Sequence, residues 1–130
     1  MPNSCEQTVA EYFAAIRALD PNRWANTFTP DAISEDPVGA PPMVGHEVLR
    51  SFLAHIKASF ASVSLAEDTV DLNGSTATVN WTGKAIAHDG RIVDFTGIDI
   101  ITCNDEGKIT NVKAYWDPIP VMAIAQAKVT

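Results

Sequence analysis

Residues 75 to 103 alternate apolar and polar with a period of two, and this constrains the fold more than any other feature of the chain. Asn73-Gly74 offers the positive-φ pair that a tight hairpin turn needs. The strand after it, from about Ser75 to His88, carries Ala77, Val79, Trp81, Gly83, Ala85 and Ala87 on one face and Thr76, Thr78, Asn80, Thr82 and Lys84 on the other. Such a strand has one covered face and one wet face. Asp89-Gly90 turns the chain into a second strand, Arg91 to Cys103. Asn104-Asp105-Glu106-Gly107 turns it into a third, Lys108 to Asp117, with Val112, Ala114 and Trp116 on one face. Pro118 and Pro120 end that strand, and Val121 to Lys128 is either a short helix or a tail. Val63, Leu65, Val70 and Leu72 mark a further extended region ahead of the hairpin.

The first third of the chain has a different period. Ser4 and Gln7 fit a capping box, and Val9, Tyr12, Phe13, Ile16 and Leu19 then fall on one helical face. Asp20 can cap a second, short helix with Pro21 at its first position, and Trp24 and Phe28 lie one turn apart on it. Thr29-Pro30-Asp31 ends that helix, and Ala32 to Asp36 is a short strand. A Pro/Gly-rich loop from Pro37 to Gly45 leads to a third helix with Val48, Leu49, Phe52, Leu53, Ile56 and Phe60 on its apolar face. Helices followed by a strand meander give an α+β class, with the helices packed on the concave face of a curved antiparallel sheet. Gly83 and Gly97 are expected at bulges or bends that curl the sheet into a cone. The 130 residues fit a single domain, 1–130, large enough for a core with a small internal pocket.

A net charge of -7 argues against nucleic acid and against anionic membrane surfaces as partners. The apolar runs are too short for a membrane span, and the N-terminal residues lack the basic and apolar regions of a signal peptide. Cys5 and Cys103, far apart and in no CxxC, are read as free thiols of a reducing compartment, which places the protein in the cytoplasm. His46 and His55 are read as solvated or structural. No ligand cluster, phosphate-binding glycine motif or GxSxG elbow signals a metal, a cofactor or a serine nucleophile.

Three residues carry chemistry. Asp36 precedes a proline, which favours extended backbone, so its carboxyl sits at a strand end beside a loop. It is either a surface turn residue or a general base at a pocket mouth, with residues 38–45 as the rim. Tyr12 lies within the apolar helical stripe and is either a core tyrosine with its tip at the edge or a phenol pointing into a cavity. Asp99 shares its strand face with Val93, Phe95, Gly97, Ile101 and Cys103. Burial there disfavours the ionised form and raises the pKa, leaving either a structural hydrogen bond to backbone or a neutral acid able to donate. Two high-pKa donors and one carboxylate base suit proton abstraction beside a carbonyl, the donors holding the enolate oxygen.

These residues lie in segments that resemble the ketosteroid isomerases, of the cone-shaped fold shared with nuclear transport factor 2 and the polyketide-cyclase-like proteins. The likeness is carried by residues 9–16 (VAEYFAAI), by Glu35-Asp36-Pro37-Val38-Gly39, by Gly97-Ile98-Asp99 and by the turn Glu106-Gly107-Lys108-Ile109. It implies that Tyr12 and a protonated Asp99 donate to the substrate oxygen while Asp36 carries the proton between carbons. It also implies a cofactor-independent isomerase that moves a C=C bond into conjugation with a ketone, on a steroid-like or other flat apolar substrate. Where some relatives have further tyrosines bonded to the oxyanion-hole tyrosine, this chain offers Phe28 and Leu53, and an extended tyrosine network is not expected. Phe13, Phe28, Phe52, Trp81, Phe95 and Trp116 are the candidate apolar walls, the tryptophans being either wall or core. A homodimer is expected by the same analogy, covering an outer face with Ile86, Ile92, Ile98 and Ile100. Two other readings are a polyketide cyclase or epoxide hydrolase, which would use an Asp-Arg-Asp set around a water, and a non-catalytic small-molecule binder.

Overall fold

The computed structural model describes residues 4–125. Helix α1 (Ser4–Ala18) buries Cys5, Val9, Tyr12, Phe13, Ala15 and Ile16 along one face. It ends in a paired cap, with the Leu19 amide donating to the Ile16 carbonyl at 2.9 Å and the Asp20 amide to the Ala15 carbonyl at 3.1 Å. The cap requires a left-handed residue, and Leu19 supplies it at φ 50° without being glycine. Asp20 then caps α2 (Pro21–Ala25) by accepting from the Arg23 amide at 3.1 Å, with Pro21 in the first turn. Helix α2 is shorter than its sequence pattern suggests. Trp24 stays on it, but Phe28 does not: the chain straightens there to lie alongside Ile109.

The strands are β1 (Phe28–Glu35), β2 (Met43–Val44), β3 (Phe60–Asn73), β4 (Thr76–Ala87), β5 (Ile92–Cys103) and β6 (Ile109–Trp116). They form one sheet in the order β2-β1-β6-β5-β4-β3. Strands β3 to β6 make the expected antiparallel meander. The first strand differs from expectation, because it starts at Phe28, runs through Thr29-Pro30-Asp31 and pairs parallel to β6. Helix α3 (His46–Ser59) crosses between β2 and β3, and His46 is structural, its Nε2 lying 2.8 Å from the Phe28 carbonyl. A last helix, α4 (Pro118–Ala125), follows β6 directly, since prolines are accepted in a first helical turn. Residues 126–128 of the anticipated terminal segment lie outside the described residues. Val63, Leu65, Ala77, Val79, Ala85, Ile101, Cys103, Val112 and Ala114 form the inner face of the sheet, closed by α1, α2 and α3. This is the α+β cone, with helices on the concave side of a curved sheet. Among the described residues no helix is long and apolar enough to cross a membrane.

Two expectations are corrected here. Cys5 and Cys103 are not free thiols: they form a disulfide, with Cα atoms 5.8 Å apart across 98 residues of sequence. The folding of α1 over the end of β5 brings them together, and the inference of a reducing compartment from free thiols falls with it. Gly83 and Gly97 do not mark bulges, since the pairing of β4 with β5 is continuous from Thr76 to Ile86. They make room for neighbouring rings instead. A Cβ on Gly97 would collide with the Trp81 indole, and one on Gly83 would press on Leu65 and Phe95. The register irregularities lie elsewhere: in β3 between Phe60 and Ser62 and between Glu67 and Thr69, in β1 between Phe28 and Ile33, and in β5 between Thr102 and Cys103. Replacing Gly97 by Ala should therefore overpack the inner face and cost about 1–3 kcal/mol. Urea unfolding should show a lower midpoint at constant m-value, and an unchanged midpoint would mean that Trp81 can move aside freely.

Candidate active site

The inner face of the sheet and the three helices enclose a narrow cavity of about 70 Å³ that opens to solvent. Its walls are apolar except at three titratable groups, Tyr12 from α1, Asp36 just beyond the end of β1 and Asp99 from β5. Phe52, Trp81, Phe95 and Trp116 also line it, as anticipated. Phe13 and Phe28 do not. Both are fully buried in the core, where their rings pack against Tyr12. Phe13 neighbours Tyr12 in the helix and so points to a different side, and Phe28 lies on a strand and not on the helix that would have aimed it inward. The loop of residues 38–45 is absent from the wall; α3 and Val121 of α4 supply that side. Sequence reasoning missed Trp24, Ile16, Leu53, Ile56, Phe60, Val63, Leu65, Ala85 and Val121 as lining residues. Trp24 could have been found from its place one turn into a capped, proline-started helix, where its ring meets Tyr12.

Cross-strand register sets the geometry. Gly97 lies opposite Trp81 on one side and opposite Trp116 on the other. The Phe95 ring stands between the two indoles, with centroids 5.4 Å from Trp81 and 5.7 Å from Trp116. Each indole reaches one carboxyl. Trp81 Nε1 donates to Asp99 Oδ1 at 2.9 Å, and Trp116 Nε1 donates to Asp36 Oδ1 at 2.7 Å. Because the Asp99 oxygen nearest Trp81 is an acceptor, the proton of a neutral Asp99 belongs on Oδ2.

The two carboxyls have different environments. Asp99 is 2% exposed and lies between Val79 and Ala114 on the neighbouring strands. Burial, with the charge of Asp36 adding to it, pushes Asp99 up to about 8 against the opposing pull of the Trp81 bond. Asp36 is only half-buried as a residue, and its carboxyl is raised by desolvation to about 6, with the Trp116 bond opposing. Tyr12 is raised well above the usual phenol range, first by burial and then by the charges of Asp99 and Asp36, while Trp24 opposes the rise. Near neutral pH the cavity therefore holds one ionised carboxylate and two neutral donors. Arginine is absent from the wall among the described residues, Arg91 being bound to Asp89 and to the Ile124 carbonyl outside the cavity. Among the described residues no three His, Cys, Asp or Glu side chains could together hold a metal ion.

A carboxyl whose folded pKa lies above its unfolded one binds protons more tightly when folded. The contribution of Asp99 to stability is thus complete below its ordinary value of 3.8 and is lost as pH rises through about 8. Thermal unfolding of the wild type should weaken across that window, and Asp99→Asn, which keeps the acceptor for Trp81 without the charge, should flatten the dependence. Parallel profiles for the two proteins would contradict the assigned shift.

Comparison with known proteins agrees with this architecture. Residues 9–112 match the SnoaL-like domain family. A steroid Delta-isomerase of Nocardioides simplex is 29% identical over 118 residues, covering 91% of this chain and 94% of the relative. An NTF2-like protein of unknown function from Burkholderia pseudomallei superposes with a TM-score of 0.81 at 22% identity, over 98% of this chain and 100% of that one. The epoxide hydrolase/cyclase-like enzyme SalBIII, of pyran ring formation in the polyether salinomycin, superposes with a TM-score of 0.78 at 24% identity, over 87% and 90% of the two chains. The match over most of its length shows that this chain belongs to the SnoaL-like domain family.

Proposed function

We propose that this protein is a cofactor-independent isomerase that moves a C=C bond into conjugation with a ketone on a flat, apolar, steroid-like substrate. The observation that carries the reading is the convergence of Tyr12, Asp36 and Asp99 on one otherwise apolar cavity, with Asp99 pushed higher than Asp36 by burial and by the charge of Asp36. The 29% identical steroid Delta-isomerase supports the same chemistry. Asp36 takes a proton from the carbon between ketone and alkene. The electron pair delocalises into a dienolate, whose oxygen accepts from the Tyr12 hydroxyl and from Asp99 Oδ2–H. Asp36 then returns the proton at the γ-carbon, and the product leaves with no net change in atoms or charge. Trp116 fixes the orientation of Asp36 through its 2.7 Å bond, and Phe52, Phe95 and the indole faces give the substrate an apolar bed. An epoxide hydrolase built on an Asp-Arg-Asp set is less consistent with a wall that has no arginine among the described residues.

The direct test is the rise in ultraviolet absorbance of a conjugated enone when a Δ5-3-ketosteroid is added. Asp36→Asn should lower kcat by about 10²–10⁴-fold, the range for losing a general base. Tyr12→Phe and Asp99→Ala should each lower it by about 10²–10³-fold, the range for losing one oxyanion donor. No turnover by the wild type, or undiminished turnover in Asp36→Asn, would sink the assignment.

The pH dependence is a separate check. Activity needs Asp36 ionised and Asp99 protonated. The profile of kcat/KM should rise through about 6 and fall through about 8. In Asp99→Asn the alkaline limb should disappear, and its persistence would assign that limb to another group.

We also propose a homodimer that buries the outer sheet face, where Ile92 and Ile98 are exposed. Sedimentation equilibrium should give a mass near twice 14.0 kDa, and a monomer at micromolar concentration would contradict it.

A further inference from the structure

The chain has three tryptophans, and all of them line the cavity. Two have their indole N–H groups committed, Trp81 to Asp99 and Trp116 to Asp36. The third, Trp24, is 1% exposed, and its Nε1 makes no hydrogen bond of full geometry among the described residues, although it lies near enough to the Tyr12 hydroxyl to pull the phenol pKa down. A buried N–H left without a partner is costly, and where one persists in a native fold it asks for a reason. Its position is held firmly. The Trp24 amide donates to the Asp20 carbonyl at 3.0 Å, and the Trp24 carbonyl accepts from the Thr27 hydroxyl at 2.7 Å and the Thr27 amide at 3.0 Å. The ring is wedged between Phe28 and Phe52, with centroids 5.1 and 6.0 Å away, and meets Tyr12 at 5.7 Å in a tilted contact.

We propose that Trp24 is a positioning residue for Tyr12, its indole N–H donating to the phenol oxygen when the phenol hydrogen is given to the oxyanion of a bound ligand. This rests on the reading of the cavity as an oxyanion site. A phenol oxygen has two lone pairs and can accept while it donates. As the phenol proton is drawn towards an oxyanion, the Tyr12 oxygen gains negative character and becomes a better acceptor. The indole then polarises the phenol, which strengthens its bond to the ligand, as in any chain of hydrogen bonds inside a low-dielectric site. The opposition of Trp24 to the raised phenol pKa is in the same direction. Each of the three site groups thereby has its own indole: Asp36 has Trp116, Asp99 has Trp81, and Tyr12 has Trp24. The relay favours ligands whose oxygen carries charge, a phenolate or a dienolate, over neutral apolar ligands of the same shape.

The test reads the three indole N–H signals of ¹⁵N-labelled protein by NMR, assigned with Trp24→Phe, Trp81→Phe and Trp116→Phe, while 2-naphthol is added to saturation. The Trp24 signal should move downfield in the wild type, the direction of a newly formed hydrogen bond, and should stay in place in Tyr12→Phe. Trp24→Phe should weaken 2-naphthol roughly tenfold more than it weakens naphthalene, a difference of about 1.4 kcal/mol. A Trp24 signal that stays still while those of Trp81 and Trp116 move overturns the proposal and leaves the oxyanion site standing. A Trp24 signal that moves equally in Tyr12→Phe also overturns it, because the indole then addresses the ligand directly. No response of any of the three signals overturns the oxyanion site and the proposal together. If Trp24→Phe does not fold, the other two variants assign the third signal by elimination, and the wild-type and Tyr12→Phe spectra decide.

Discussion

Two carboxyl groups share one apolar cavity, and each is held there by the N–H of an indole. The rest of the site depends on that pairing. Two charges in so dry a space would repel. Burial raises both carboxyls, and the charge of Asp36 adds to the rise of Asp99, which is walled by Val79 and Ala114. The Trp81 indole can lie across the sheet to reach Asp99 because Gly97, opposite it, has no side chain. A small residue on one strand thus decides the direction of a large one on its neighbour.

Much of this was legible in the sequence, and the reasons are specific. The parity of residues 92–103 puts Asp99 among apolar neighbours whatever the tertiary detail, because a strand has only two faces. The stripe through Val9, Tyr12 and Ile16 buries Tyr12 in the same way. What parity does not carry is partnership between strands. The bonds from Trp81 to Asp99 and from Trp116 to Asp36 follow from register, and register was not written in either strand alone. Gly97 looked like a bulge because a glycine in a strand has two explanations, and only the neighbouring strand tells them apart.

The errors cluster where the chain changes period. Trp24 and Phe28 keep helical spacing, yet the parallel pairing of Phe28 with Ile109 pulls the second out of the helix. A parallel partner from the far end of the chain leaves no local signal. The same holds for the two cysteines, which lie 98 residues apart and meet only because α1 packs over the end of β5.

That meeting has a mechanical meaning for the site. Cys5 lies two helical turns before Tyr12 on the same face of α1, a distance of roughly 10 Å. Cys103 lies four residues after Asp99 on the same face of β5, roughly 13 Å. Helix and strand are thus two stiff arms riveted at one end, with a phenol at the tip of one and a carboxylic acid at the tip of the other. Like a pair of tongs, the arms are joined at the rivet, and the spacing of the phenol and the acid in the cavity is constrained in part by a covalent bond that lies outside it.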